Sequence, residues 1–361
     1  MNLFKLRFPR SFAIPAIDGA SEALTFFDKK ATPCEGDDVA GFIFSDFSLN
    51  PSILQIPADT DFLPEQEALQ CMRDNDIAAG LTTPLPKSST TRERHIRYVD
   101  SLRRLIEEIE AQKGVDSKII AARSDIRDCS LSPLEIFNRL DHRYPDACIF
   151  LFSTPLSGTW IGATPELLLR ADADRISTVA LAGTRPAESQ GPWDAKNIEE
   201  QRIVTDFILG TLRDKGYDDC RAGRPTTFRA GPVEHLSTSI EAPFGGSIAD
   251  IADLLATLSP TPALSGYPRP EAIAAITSGE DYRRENYGGF IGYLFSRQAP
   301  NADDSRQCRA LAFANLRSAR IDTAARKIRL FAGGGITRHS IAEEEWTETE
   351  RKLATLRSIL T

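Results

Sequence analysis

No apolar run in this chain of 361 residues reaches the roughly 18 residues that a membrane helix needs. The first residues, "MNLFKLRFPRSFAIPAIDG", lack the apolar core of a secretory signal. A cytoplasmic protein without a membrane partner is expected. Cysteine is sparse and scattered, with Cys34, Cys71, Cys129, Cys148, Cys220 and Cys308 and no C-x-x-C pair. That spacing argues against a disulfide framework or a zinc site and for reduced, buried thiols. Basic charge is in deficit, with a net charge of −8, which argues against a broad nucleic-acid surface. An anionic substrate would have to be met by local arginine, backbone amides or a bound metal. There is no phosphate loop of the form G-x-x-x-x-G-K-[ST], no dinucleotide-binding glycine fingerprint, no internal repeat and no low-complexity segment.

What is present is an ordinary globular composition, 41% hydrophobic and 26% charged. The first 90 residues alternate short apolar bursts ("GFIFSDF", "SILQIPA") with proline and glycine breaks. They read as a β-rich section running into a polar linker. Residues 91–361 read as the larger unit, the two forming one compact structure. From Thr91, Ile96, Val99, Leu102, Leu105, Ile106 and Ile109 recur at helical spacing up to Gly114. Strand candidates follow at "SKIIAAR", "ACIFLFS", "TWIGATPELLLRAD", "RISTVALAGT", "VEHLSTSIEAPF", "NYGGFIGYLF", "CRALAFANLRSARID" and "KIRLFAGG". Helices are expected after Pro133, at about 194–216, at 247–258 and from about Ile341. Strands in consecutive groups predict an α+β fold with large antiparallel sheets flanked by helices.

Four local features carry chemistry. In "FAGGGITRHSIAEEEWTETERKL", three glycines leave a strand and a glutamate-rich helix follows, with Ser340 and Glu343 spaced as a capping box. Trp346, Thr349, Leu353, Leu356 and Leu360 form its core stripe, and Glu345, Glu348 and Lys352 share the bordering face. A solvated acidic helix start explains these glutamates equally well. Glu200, however, shares a face with the apolar Val204, Phe207 and Ile208, where a carboxylate is costly unless paired or metal-bound. Two helices each offering such a glutamate could hold a hard divalent ion such as Mg²⁺. Lys118 opens an apolar strand, either snorkelling to solvent or desolvated into a base. Glu166 stands at a turn, Arg317 shares one alternating face with Phe313 and Leu311 and would meet a carboxylate, and His235 reads as a satisfied core histidine.

Taken in order, "SKIIAAR", "GATPELLL", "LAGTRP", "EEQRIV", "EHLSTSI", "PTPALSGYPR", "YGGFIGY", "LRSARI" and "AGGGIT…EEEWTETERKL" resemble the chorismate-utilising family. That family includes isochorismate, salicylate, anthranilate and aminodeoxychorismate synthases. The likeness spans residues 95–360. It implies the anthranilate synthase component I-like fold and a buried Mg²⁺ site held by Glu200 and Glu348, with Glu345 in the same cluster. It implies Arg317, Tyr287 and the backbone of Gly333–Gly335 at the enolpyruvyl carboxylate. Gly183, Thr184, Ala263, His235 and Lys352 would border the ring site. Lys118 would activate water, and Glu166 would protonate the leaving 4-hydroxyl. Lysine at 118 where ammonia users carry glutamine, and alanine at 182 and 263, point to a Mg²⁺-dependent isochorismate synthase. A salicylate synthase and a non-catalytic chorismate-binding subunit are the alternatives. Chorismate is the expected partner of a monomer without an amidotransferase subunit, serving menaquinone or siderophore synthesis. Asn197 and Gln201 depart from the family pattern, which commonly has an acidic residue and a histidine there.

Overall fold

The computed structural model describes residues 2–12, 32–33, 41–57, 64–82, 85–230, 233–295 and 308–360. Strands β1 (Leu3–Arg7), β2 (Thr32–Pro33), β3 (Gly41–Ser45) and β4 (Ile53–Pro57) come first, then helices α1 (Glu65–Thr82) and α2 (Arg92–Lys113). Next are β5 (Lys118–Asp128), α3 (Pro133–Arg143), β6 (Cys148–Thr154), β7 (Gly158–Thr164), β8 (Leu167–Asp172) and β9 (Arg175–Pro186). Helix α4 (Ala195–Asp214) leads into β10 (Arg221–Ala222), β11 (Thr226–Ala230) and β12 (Val233–Pro243). Then come α5 (Ile248–Leu258), β13 (Gly266–Tyr267) and α6 (Arg269–Gly279). The remaining elements are β14 (Phe290–Leu294), β15 (Cys308–Ala314), β16 (Ser318–Asp322), β17 (Lys327–Ile336) and α7 (Ala342–Leu360).

These strands make two antiparallel sheets. One runs β1-β6-β7-β16-β17-β5-β13 and the other β10-β12-β9-β8-β15-β14-β3-β4-β2, with β11 also paired to β12. The sheets face each other across an aromatic-rich core that joins Phe4, Phe150, Phe152, Trp160 and Phe331 to Phe42, Phe44, Ile291, Tyr293 and Phe313. The outer face of the first sheet packs under α1, α3 and α7, and that of the second under α4 and α5. A strand buried on both faces is apolar on both, and β6 is so from Cys148 to Phe152: Cys148, Phe150 and Phe152 point inward while Ile149 and Leu151 point to the helices. The layering is the α+β arrangement expected from the grouping of strands.

Four local expectations are corrected. Residues 65–82 are helical, not part of a β-rich linker. The buried stripe Ala68, Cys71, Met72, Asn75, Asp76 and Ala79 has helical spacing, but two polar members disguise it. Asp76 is buried because it caps strand ends, accepting from Thr159 N at 2.7 Å and from Thr323 N at 3.0 Å. Second, "TWIGATPELLLRAD" and "CRALAFANLRSARID" each hold two strands, one in each sheet. Arg317 therefore lies on no strand; it sits between β15 and β16 at φ 48°. Third, Gly333, Gly334 and Gly335 lie within β17, paired to Ala122, Ala121 and Ile120 of β5, instead of forming a loop. Fourth, no capping box closes at α7: Ser340 Oγ accepts from Thr337 N, and the Glu343 carboxylate pairs with Arg92.

The four cysteines with described side chains, Cys71, Cys129, Cys148 and Cys220, are free and buried. Cys34 lies outside the described residues. No helix among the described residues is long and apolar enough to cross a membrane.

Candidate active site

The two double strands matter because the chain passes between sheets at the same level twice. Pro165 and Glu166 join β7 to β8, and Asn315 to Arg317 join β15 to β16. Backbone bonds lock the crossings together: Ala314 N donates to Glu166 O at 2.9 Å, and Ala163 N donates to Arg317 O at 3.1 Å. A cavity opens where the sheets part. It is lined by Lys118, Glu166, Gly183, Thr184, Glu200, His235, Ala263, Tyr287, Arg317, Gly333, Gly335, Glu348 and Lys352. The residues singled out from the sequence as catalytic, substrate-binding or metal-holding therefore border one space, except Gly334 and Glu345, which meet on the other face of the glycine strand. Leu181, Leu264, Leu316 and Phe331 add apolar wall that the sequence did not flag.

Lys118 does not snorkel. Its side chain is 2% exposed, with Glu200 Oε2 at 3.7 Å. Burial lowers its pKa from the ordinary lysine value, against the opposing pull of Glu200. Glu166 is buried too and has no basic residue within ion-pair distance among the described residues. Burial pushes its carboxyl up to about 7, although Lys118, Lys352 and Arg317 pull the other way. One cavity thus holds an amine biased toward its neutral form and a carboxyl biased toward its protonated form.

His235 on β12 is neutral, because burial and then the Arg317 charge hold its pKa at about 3. Its Nδ1 lies 3.0 Å from Gly183 O and 3.2 Å from Thr184 Oγ1, and its Nε2 lies 3.2 Å from Arg317 Nη2. A proton on Nδ1 is donated to Gly183 O, leaving Nε2 to accept from Arg317. Arg317 has no carboxylate partner among the described residues, and its guanidinium borders the cavity. Tyr287 stacks on Phe331 with centroids 5.0 Å apart.

Opposite these groups, three carboxylates flank the glycine strand. A Cβ on Gly335 would stand 3.1 Å from both Glu200 carboxylate oxygens, and one on Gly334 would stand 3.1 Å from Glu345 Oε2. None of the three glycines has positive φ, so what requires glycine here is close approach and not backbone freedom. Each carboxylate has a lysine partner. Lys352 Nζ reaches Glu348 at 2.7 Å and donates to Gly333 O at 2.8 Å. Lys196 Nζ lies 2.6 Å from Glu345 and 3.7 Å from Glu200. Glu345 is fully buried and its Oε2 has no hydrogen-bond partner. Burial, then the Glu348 charge, pushes its carboxyl up to about 7. Glu350, on the same helix, binds Arg123 and Arg357 instead.

Both departures from the family pattern have a structural account. Gln201 Oε1 accepts from Ala182 N at 2.8 Å, while its Nε2 donates to Ala180 O and to Thr238 Oγ1. Asn197 Oδ1 accepts from Thr184 N at 2.8 Å, and its Nδ2 donates to Asp194, the α4 N-cap. The two amides fix the β9 edge of the cavity, and an amide nitrogen at 197 can donate to Asp194 where a carboxylate could not. Lys196 was missed, although its i, i+4 spacing to Glu200 was a visible signal.

The family described as chorismate binding enzyme matches residues 65–361. The chain is 28% identical over 373 residues to isochorismate synthase EntC of Escherichia coli, covering 96% of this chain and 89% of that protein. It is 32% identical over 294 residues to isochorismate synthase MenF of the same species, covering 77% of this chain and 64% of that protein. The solved structure of MenF, described as the menaquinone-specific isochorismate synthase, covers 100% of this chain and 89% of its own. It has a TM-score of 0.69 at 21% identity, a likeness of fold. The chain belongs to the chorismate binding enzyme family.

Proposed function

We propose that this protein is an isochorismate synthase that converts chorismate and water reversibly into isochorismate with Mg²⁺. The carrying observation is the pair Lys118 and Glu166, which border one cavity in opposite protonation environments. The neutral Lys118 amine takes a proton from water as the oxygen bonds to ring carbon C2. The ring double bonds shift, the C4–oxygen bond breaks, and Glu166 gives its proton to the departing hydroxyl, which leaves as water. Atoms balance as an isomerisation, and proton return from Lys118 to Glu166 resets the site. Each transfer needs the state its surroundings favour, which is how buried acid–base pairs work near neutral pH.

Arg317, with Tyr287 and the edge of β17 at Gly333 and Gly335, holds the enolpyruvyl carboxylate. The Arg317 guanidinium suits this role because it is without a carboxylate partner among the described residues. His235, kept neutral, fixes the orientation of Arg317 and braces Gly183 and Thr184 at the ring. Lys352, held by Glu348 and Gly333, places positive charge on the same wall.

Glu200 and Glu348, with Glu345 behind the glycine strand, would hold the Mg²⁺. The donors are all carboxylate oxygens, and Glu345 Oε2 is buried without a partner, which fits a hard cation. Among the described residues no group of three or more metal-binding side chains converges tightly enough to hold an ion by itself. Water and the ring carboxylate would complete such a shell, in keeping with the preference of this ion. When bound, the ion neutralises the ring carboxylate and need not supply hydroxide.

Lys118→Ala and Glu166→Gln test the assignment. Each should lower kcat by about 10²–10⁴-fold, the scale of positioned proton transfer. Chorismate binding, followed by thermal shift with Mg²⁺, should stay near that of the wild type. Near-wild-type turnover in either variant would remove that residue from its role.

A further inference from the structure

Of the three lysines that meet the carboxylate cluster, Lys118 and Lys352 border the cavity and Lys196 does not. Lys196 reaches in from the first turn of α4, and its side chain is one quarter exposed. Its ammonium bridges two helices, 2.6 Å from Glu345 on α7 and 3.7 Å from Glu200 on α4. These are two of the carboxylates assigned to the metal. Glu345 spends one oxygen on this bridge and keeps the other without a partner. A dication and an ammonium cannot share the same carboxylates in a buried site without strong repulsion. Lys196 has one quarter of its side chain exposed and can withdraw its head toward solvent, whereas Lys352, 20% exposed, is held in addition by Gly333 O.

We propose that Lys196 is a tethered cation that holds Glu200 and Glu345 together before the divalent ion binds and leaves when it arrives. This inference rests on the reading of the site as a Mg²⁺ site. It makes Lys196 a positioning residue that weakens and gates metal binding without touching substrate. The shared ammonium offsets the repulsion between two buried carboxylates in the metal-free protein. Its displacement then costs part of the metal's binding energy.

The test uses the full chain without chorismate and Mg²⁺ alone as the probe, with calorimetry as the readout. Lys196→Met should tighten Mg²⁺ binding by about tenfold or more, because it removes the competing charge. Lys196→Arg, which keeps the charge, should stay within about twofold of wild type. The metal-free Lys196→Met protein should also melt lower than wild type and recover more on Mg²⁺ addition. In wild type, reductive methylation read by peptide mass spectrometry should label Lys196 faster at saturating Mg²⁺, a measurement that needs no variant to fold. Unchanged or weaker affinity in Lys196→Met, no Mg²⁺ binding by either protein, or labelling that ignores Mg²⁺ would each overturn the proposal. Turnover of chorismate by wild type is assayed separately, so loss of the functional reading and loss of this inference give different results.

Discussion

On the proposed assignment, stability and function oppose each other at Glu166. Its carboxyl is raised to about 7, so the folded state holds the proton more tightly than the unfolded chain does. The associated stability is complete below the ordinary carboxyl range and is lost as pH rises through about 7, where the side chain must ionise in a buried site. Glu166→Gln keeps the shape without the charge. It should therefore stabilise the protein at pH 8 by roughly 3 kcal/mol, and by far less at pH 5. Urea unfolding at the two pH values measures the difference; an equal effect at both would mean that Glu166 is not a desolvated acid. With Glu166 as the proposed acid, turnover should carry the same signature and fall as pH climbs past about 7 and the side chain loses its proton. On the acid side it falls as Lys118 becomes charged, and Glu166→Gln removes the alkaline limb together with the rate.

Among the elements, strand β17 and the segment between α6 and β14 place the site. Gly335→Ala should move the Glu200 carboxylate by a few tenths of an ångström, since the new Cβ would lie 3.1 Å from both its oxygens. We expect about a tenfold loss of kcat/KM, because small displacements of positioning groups cost rate steeply. Thermal melting should change little, since φ at this glycine is not positive. A loss of stability without a loss of rate would place the need for glycine in folding. The pair Glu280 and Arg284 braces the cavity floor. Glu280 accepts from Ala122 N at 3.0 Å, while Arg284 donates to Leu264 O and Ile120 O at 2.8 Å each. Glu280→Gln leaves the arginine charge buried and uncompensated and should cost about 3–5 kcal/mol in urea unfolding.

The elements also show what the sequence could reveal. Helix α2 was legible from end to end, because Thr91 caps it and Gly114 ends it at φ 65°. Helix α1 was not, because Asn75 and Asp76 occupy core positions and break the apolar period that marks a helix. The crossings at Glu166 and Arg317 were hidden in runs that read as single strands, since nothing in an apolar run says which sheet it joins. Site residues were legible mainly through the order and wording of motifs. Spacing alone left Lys118, Glu166 and His235 each with an ordinary structural role. Lys196 showed only its spacing to Glu200; its contact with Glu345 and those of the Asn197 and Gln201 amides span 13 to 149 residues, which no local window contains.

The whole molecule carries a net charge of −8, yet the cavity offers Lys352 and Arg317 where a substrate with two carboxylates would sit. Capture of the anion is local, with no field from the surface as a whole to assist it. The helix–sheet–sheet–helix layering serves the same end, because the sheets part at the cavity, and both crossings and the helices α4 and α7 converge on it. The account stands on the reaction performed there. Purified protein is incubated with chorismate and Mg²⁺, without ammonia, and the products are separated and identified. Isochorismate should form, approach an equilibrium mixture with chorismate from either side, and yield no salicylate. Salicylate as the direct product, a requirement for ammonia, or unchanged chorismate would contradict the account.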